Sequence, residues 1–155
     1  MVEDTQLNNL IYQKIINYRY RIADESVTIM FHNKELVKSL KQHNQHKFHP
    51  YFQINSFSVE AKVSYCWDGA TFTLNTPNLI IPSLMHDIGC QAINLGHLPR
   101  ECRKHFDREY YEQCLLYGVN KYRANLHYVC IRLWGMIPKS ESLAPYAKKF
   151  TIKIK

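Results

Sequence analysis

The change from strand-like to helix-like patterning begins at residues 82–96, which read PSLMHDIGCQAINLG. The apolar residues of this stretch recur at the spacing of one helical face: Leu84, Met85, Ile88, Ala92 and Ile93. Pro82 suits a first helical turn, and Gly96 followed by Pro99 suits a helix end. The stretch therefore predicts a helix with one apolar side.

Two further segments after residue 96 keep the helical period. Residues 101–117 close at Gly118 and carry one apolar row: Phe106, Tyr110 and Cys114. Residues 123–133 precede Gly135 and Pro138 and carry another: Leu126, Val129, Cys130 and Leu133. The connection between the first two helices is short, so we expect them to pack antiparallel.

Strand-like patterns lie before residue 82, and residues 51–67 alternate most strictly. One face of this segment is apolar: Phe57, Val59, Ala61, Val63 and Tyr65. The other face is polar: Ser56, Ser58, Glu60, Lys62 and Ser64. Such alternation predicts a half-buried strand, and Asp68-Gly69 ends it as a turn.

Shorter elements complete the predicted fold. Residues 18–22 and 27–31 predict a hairpin about the turn at 23–26, and a helix is expected after Asn33. Asp4 predicts the cap of an N-terminal helix carrying Leu7, Leu10, Ile11 and Ile15. Residues 150–154 alternate like an edge strand.

Together the patterns predict an α+β fold in one domain, residues 1–155. A small antiparallel sheet from the N-terminal half packs with a C-terminal helical hairpin or three-helix unit. The length of 155 residues and the hydrophobic fraction of 46% suit one core. No stretch predicts a membrane span or a secretory signal, and the five scattered cysteines predict reduced thiols.

The net charge of +7 is spread along the chain. No run of five basic residues occurs, so the charge predicts a solvated face and disfavours nucleic-acid binding. His43, His46 and His49 lie within seven residues, but no carboxylate or thiolate accompanies them, which disfavours a metal site.

The adjacent pair His86-Asp87 and the downstream Asp107 form the candidate catalytic site. Antiparallel helices would bring the three together, where an imidazole held by a carboxylate can act as a general base. Asp87 and Asp107 are also candidate ligands for a divalent cation, Ca²⁺ or Zn²⁺. In the purely structural alternative, Asp107 pairs with Arg103 or Arg108, and Asp87 favours the positive end of its helix.

Several motifs in residues 56–135 follow one another in a characteristic order: Trp67-Asp68-Gly69-Ala70-Thr71, His86-Asp87, Asp107, Gly118-Val119 and Arg132-Leu133-Trp134-Gly135. This order and spacing resembles an uncharacterised bacteriophage family, domain of unknown function 1353. Its members read Asp-Gly-Ala-Ser-x-Pro, then His-Asp, an inner Asp, Gly-Val and Arg-Leu-x-Gly. Here Thr71 replaces serine, the proline is displaced to Pro77, and Gly89-Cys90 replaces the aromatic residue after His-Asp. The resemblance singles out Asp68, Gly69 and Thr71 as further motif residues.

The resemblance implies a phage-encoded accessory or virion-associated protein of the tail or neck, whose His-Asp site is structural or vestigial. Its partners would be other phage structural proteins or a second copy, in the host cytoplasm or the virion. The alternative is a metal-dependent hydrolase of lipid or cell-wall bonds. Secretory phospholipases share the His-Asp-x-x-Cys pattern but not their calcium loop, and His-Asp phosphohydrolases need an upstream helical histidine.

Overall fold

The computed structural model describes residues 4–7, 10–13, 20–43, 49–70 and 76–136, with the backbone alone in the first two ranges. Its strands are β1 (Asp4–Leu7), β2 (Leu10–Gln13), β3 (Tyr20–Ile22), β4 (Val27–Met30), β5 (Phe52–Ile54), β6 (Ser58–Ala61) and β7 (Cys66–Trp67). Its α-helices are α1 (Lys34–Gln42), α2 (Ile80–Asn94), α3 (Arg103–Leu116) and α4 (Lys121–Met136). Short 3₁₀ turns, Pro77–Leu79 and Arg100–Cys102, lead into α2 and α3.

The strands form two small antiparallel sheets. One has the order β1-β2-β3-β7 and the other the order β4-β6-β5. Helix α3 packs between α2 and α4 and also contacts α1. This arrangement confirms the predicted α+β class, with sheet strands from the N-terminal half and a packed helical unit from the C-terminal half.

The predicted N-terminal helix is wrong. The backbone from Asp4 forms a hairpin instead, with Asp4 opposite Gln13 and Leu7 opposite Leu10. A few apolar residues fit the helical and the strand period equally well, and pairing of β2 with β3 selects the strand. Ile15 lies outside the described residues.

The predicted hairpin of residues 18–31 is also wrong, although both of its strands exist. Strand β3 pairs with β2 and β7, with Tyr20 opposite Trp67, whereas β4 pairs with β6 in the other sheet. A turn sequence reverses the chain without fixing which strands pair. Here both strands find distant partners and bury Ile22 and Ile29.

The segment predicted as one long strand is divided into β5, β6 and β7. The carboxamide oxygen of Asn55 accepts hydrogen bonds from the backbone N–H of Phe57 and of Ser58, both at 2.8 Å, which turns the chain between β5 and β6. Ser64, with φ of 71°, breaks it again before β7. Three of the five residues of the predicted apolar face are buried, Val59, Ala61 and Tyr65, while Phe57 and Val63 are exposed.

The predicted helices are confirmed with small changes in their bounds. Asn33 caps α1, accepting a hydrogen bond from the Leu36 backbone N–H at 2.9 Å. Helix α2 begins at Ile80, so Pro82 still lies in its first turn. Helix α4 continues past Gly135 to Met136. The predicted tail strand at 150–154 lies outside the described residues.

A close approach between α2 and α3 positions the candidate site. Gly89 of α2 faces the buried ring of Phe106, and a Cβ at Gly89 would lie 2.6 Å from Cγ of that ring. A larger residue at 89 would force the two helices apart. His86 and Asp107 lie next to this contact, three residues before Gly89 and one after Phe106.

In the described ranges no helix is long and apolar enough to cross a membrane. All five cysteines are free thiols, and of these Cys102 and Cys114 are buried. The other three, Cys66, Cys90 and Cys130, are half-buried.

Candidate functional site

The structure brings His86 and Asp107 into direct contact. His86 Nε2 donates a hydrogen bond to Asp107 Oδ1 at 2.7 Å, and both side chains lie in the interface of α2 and α3. Asp107 is 0% exposed and His86 is 7% exposed. Two residues far apart in sequence are thus one buried pair.

Two arginines complete the shell around Asp107. Arg103, one turn earlier on α3, donates from Nε to Oδ1 at 2.9 Å, and Arg132 of α4 donates from Nη1 to Oδ2 at 2.8 Å. Burial by itself raises the pKa of Asp107. The hydrogen bond and charge of His86, together with the arginines, outweigh burial and hold that pKa below its ordinary value. Asp107 is therefore an anion that ties α2, α3 and α4 together.

The sequence anticipated part of this shell. The expected Arg103–Asp107 pair is present, whereas Arg108 pairs with Glu112 instead. Arg132 was missed as a partner of Asp107, although it lies in the Arg-Leu-x-Gly motif that carries the family resemblance. Its spacing from Asp107 follows no local rule, because it comes from a different helix.

Cys90 is the second group beside the imidazole. Its Sγ lies 3.7 Å from both ring nitrogens of His86, one helical turn away, and the residue is half-buried. Burial lowers the pKa of His86, but the Cys90 sulfur and the hydrogen bond to Asp107 outweigh this and raise it to about 10. His86 is therefore an imidazolium at neutral pH.

Asp87 lies apart from this pair and faces the end of β7. It accepts a backbone hydrogen bond from Asp68. Burial has the largest effect on the pKa of Asp87 and raises it. His86 lowers this pKa and the Asp68 carboxylate raises it, and the result is a pKa of about 7. Asp87 is thus a half-buried carboxyl that exchanges its proton near neutral pH.

Aromatic residues close the other side of the site. The ring of Tyr110 contacts His86 edge-on at 5.4 Å between centroids, and its hydroxyl lies 3.1 Å from Nδ1 of the buried His127 of α4. Burial raises the pKa of Tyr110 above its ordinary value. The Tyr110 hydroxyl on this side of the site therefore stays neutral at physiological pH.

The motif residues around Asp68 are only partly described. Gly69 adopts a φ of 80°, which is the left-handed conformation that a turn glycine provides. Asp68 is half-buried next to Asp87. Thr71 lies outside the described residues.

The donor groups of this site do not fit a divalent cation at Asp107. Both of its oxygens accept hydrogen bonds from cationic side chains, and like charges repel a metal ion. Nowhere in the described ranges do three His, Cys, Asp or Glu side chains lie close enough to hold a metal. Both oxygens of Asp107 are thus engaged by cations, and in this arrangement Asp107 orients His86.

Only the ends of the histidine run at residues 43–49 are described. His43 ends α1, His46 lies outside the described residues, and His49 stacks on Phe52 with 4.0 Å between centroids. Burial and the neighbouring His97 lower the pKa of His49 to about 4. His49 is therefore a neutral packing residue.

Comparison of the chain with protein-family profiles, with curated proteins and with solved structures finds no match. The fold and the site geometry are therefore the basis on which function is inferred.

Proposed function

We propose that this chain is a phage-encoded accessory protein that acts by binding another protein through α4. The observation that carries the proposal is an apolar stripe on that helix that the other described residues leave exposed, here called the α4 seam: Tyr122, Leu126, Val129, Leu133 and Met136. Tyr122 is 85% exposed and Leu126 is 63% exposed. The spacing of four, three, four and three residues is the a/d repeat of a coiled coil.

The shape of the α4 seam favours a helix as the partner. At 100° per residue the five side chains fall within about 80° of the helix circumference. The five residues of the α4 seam occupy only a and d positions, as in a coiled coil, whereas a helix lying on a membrane has a wider apolar face. Trp134, which is 47% exposed, lies outside this stripe.

The charge of α4 favours an acidic partner. The helix contains no Asp or Glu, and Lys121 and Arg123 lie on opposite flanks of the α4 seam. A second copy would bring like charges together, while glutamates at the flanking e and g positions of a partner would complement them. The proposed partner is therefore an acidic amphipathic helix of another protein.

The buried cluster has a structural role in this proposal. The bonds of Asp107 to His86 and Arg132 fix α4 against α2 through α3. Ala124 and His127 lie on the buried side of α4, so the opposite side faces outward. The cluster therefore keeps α4 oriented so that the α4 seam faces outward.

The resemblance of residues 56–135 to a phage family supplies the biological setting. We propose a place in the virion tail or neck, reached from the host cytoplasm during assembly. A virion role predicts this chain at fixed copy number in purified particles of the phage that encodes it. Its absence from such particles would overturn the virion setting without touching the helix-binding proposal.

Synthetic helices test the proposal directly. One three-heptad peptide carries Leu at a and d and Glu at e and g, and a matched peptide carries Lys at e and g. Calorimetry with the full chain should show micromolar binding of the Glu peptide and at least tenfold weaker binding of the Lys peptide. Leu126→Glu/Leu133→Glu should abolish binding, whereas the control Ser26→Glu/Asn94→Glu, which adds the same charge at exposed sites, should not.

Other outcomes identify other partners. Dimers of the chain alone in sedimentation, lost in Leu126→Glu/Leu133→Glu, would replace the acidic helix with a second copy. Binding to vesicles of anionic lipid without binding to the Glu peptide would replace it with a membrane surface. Equal peptide binding by both double variants would refute the α4 seam as the binding surface.

A thiol hydrolase acting on lipid or cell-wall ester or amide bonds is the second candidate function. The observation favouring it is the contact of half-buried Cys90 with His86, which Asp107 orients. The Cys90 thiolate would attack the acyl carbon, and His86 would protonate the leaving group. His86 would then deprotonate a water molecule, which hydrolyses the thioester.

Chromogenic acyl esters test this second candidate. Turnover should fall at least a hundredfold in Cys90→Ser and in His86→Gln, and stay unchanged in the control Cys130→Ser, which alters another half-buried thiol. Wild-type turnover no faster than that of Cys90→Ser would remove the hydrolase from consideration.

A further inference from the structure

We infer that the cavity between the start of α3 and the end of α4 binds a small, multiply charged phosphate-type anion, such as a phosphate monoester or pyrophosphate. The cavity has a volume of about 300 Å³. Its lining is mostly cationic: Arg100, Arg103, Lys104 and Arg132, with Glu101, Gly135 and Met136. This inference does not depend on the proposed function, although Met136 belongs both to this lining and to the end of the α4 seam.

The charge around the cavity is unbalanced. Asp107 neutralises part of Arg103 and Arg132 from the buried side. The four cations still outnumber Asp107 and Glu101 together, so the cavity keeps a positive potential. A concave basic site concentrates anions more strongly than the same charges on a flat surface.

Two of the cations are already held in place. Arg103 donates to Asp107 through Nε, and Arg132 donates to Asp107 through Nη1. The other guanidinium N–H groups of both arginines can therefore donate to further acceptors. The guanidinium of Arg103 lies against Gly135, where an added Cβ would be 3.7 Å from Nη2. Binding an oxyanion therefore requires little further ordering of these side chains.

The backbone adds to the same potential. Arg103 is the first residue of α3, and no side chain caps that helix end or the 3₁₀ turn before it. The positive end of a 14-residue helix thus lies beside the cavity. A doubly charged oxyanion gains from both the helix end and the side chains.

The size of the cavity limits the ligand. A volume of about 300 Å³ lies at the lower bound for small-molecule sites. It suits a phosphate, a pyrophosphate or the head of a phosphate monoester. Guanidinium groups bind phosphate oxygens in pairs, which favours phosphate over monovalent anions.

Calorimetry of the full chain at constant ionic strength tests the site with inorganic phosphate, pyrophosphate, glycerol phosphate and chloride. Pyrophosphate should bind with submillimolar affinity, and glycerol phosphate should bind more tightly than chloride. Arg100→Ala/Lys104→Ala, which spares both arginine partners of Asp107, should weaken pyrophosphate binding at least tenfold. The control Lys34→Ala/Lys38→Ala removes the same charge from α1 and should change affinity less than twofold.

The outcomes separate a built site from general attraction. Equal weakening by the two double variants would show that net charge alone attracts the anion and would overturn the inference. No binding of pyrophosphate by the wild-type chain would overturn it as well. Vesicles containing phosphatidylglycerol distinguish the source: binding to them but not to glycerol phosphate would replace a soluble ligand with a lipid headgroup. Arg100 and Lys104 lie outside the α4 seam, so Arg100→Ala/Lys104→Ala should leave binding of the Glu peptide unchanged.

Discussion

The imidazole of His86 and the carboxylate of Asp107 share a hydrogen bond of 2.7 Å, although 21 residues separate them. The contact lies between two helices, and Arg132 extends it to a third. Asp107 is an anion with three cationic partners in a buried interface. Removing its charge is costly because the three cations are then left without their counter-charge.

Asp107→Asn should lower the free energy of unfolding by about 3 kcal/mol, because it leaves Arg103, Arg132 and His86 without their shared anion. Urea unfolding near pH 7 measures the loss. Asp24→Asn, the same substitution at an exposed site, should change stability by less than about 0.5 kcal/mol. The folded-state pKa of Asp107 lies below 3.8, so its contribution fades as pH falls through that pKa and the variant approaches wild type. Similar free energies of unfolding for Asp107→Asn and Asp24→Asn at pH 7 would show that Asp107 does not hold the helices together.

Asp87→Asn should make stability less dependent on pH. The pKa of Asp87 in the folded chain is about 7 against an ordinary 3.8, so the folded state binds the proton more tightly. Its stabilising contribution is complete below about pH 4 and is lost as pH rises to 7. Relative to wild type, Asp87→Asn should gain roughly 2 kcal/mol between pH 4 and pH 8, about half of the full linkage value because the side chain is partly exposed.

Urea unfolding at several pH values measures the effect of Asp87. The control Asp24→Asn should run parallel to wild type over the same range. A constant difference between Asp87→Asn and wild type at every pH would mean that Asp87 ionises with its ordinary pKa.

Gly89→Ala should destabilise the protein by about 3 kcal/mol. The added Cβ would lie 2.6 Å from Cγ and 2.7 Å from Cε1 of the fully buried Phe106, so α2 and α3 must separate. Gly135→Ala is the matched control, since its Cβ would make ordinary contacts at 3.5 Å or more with Arg103. It should be neutral or stabilise α4 by up to about 1 kcal/mol. Thermal unfolding compares the two, and equal melting temperatures would contradict the close packing at Gly89.

Glu109→Gln should cost about 2 kcal/mol and loosen the start of α1. The fully buried Glu109 carboxylate accepts the backbone N–H groups of His32, at 3.0 Å, and of Asn33, at 2.6 Å. A neutral amide offers one acceptor oxygen and weaker bonds. Amide hydrogen exchange at residues 32 and 33 should accelerate at least tenfold. The exposed control Glu25→Gln should leave both rates unchanged, and unchanged rates in Glu109→Gln would show that another group anchors α1.

Helices were the predictable part of this fold. The apolar rows of α2, α3 and α4 repeat over three or more turns, and Asn33 caps α1 as a local signal. The strands were harder, because a turn sequence that suits a hairpin joins β3 to β4, yet each of these strands pairs elsewhere. Pairing depends on distant partners such as Trp67, which no local pattern specifies.

The candidate site was likewise predictable only in part from the sequence. The sequence by itself determined the helical period that places His86 and Asp107 on facing helices, because side-chain direction repeats with the helix. Only the tertiary structure decided that Arg132 joins the predicted Arg103 at Asp107, that Cys90 lies beside the imidazole, and that the other described residues leave one side of α4 exposed. These features depend on how three helices pack, and packing is set by the fit of side chains such as Phe106 against Gly89 across the interface.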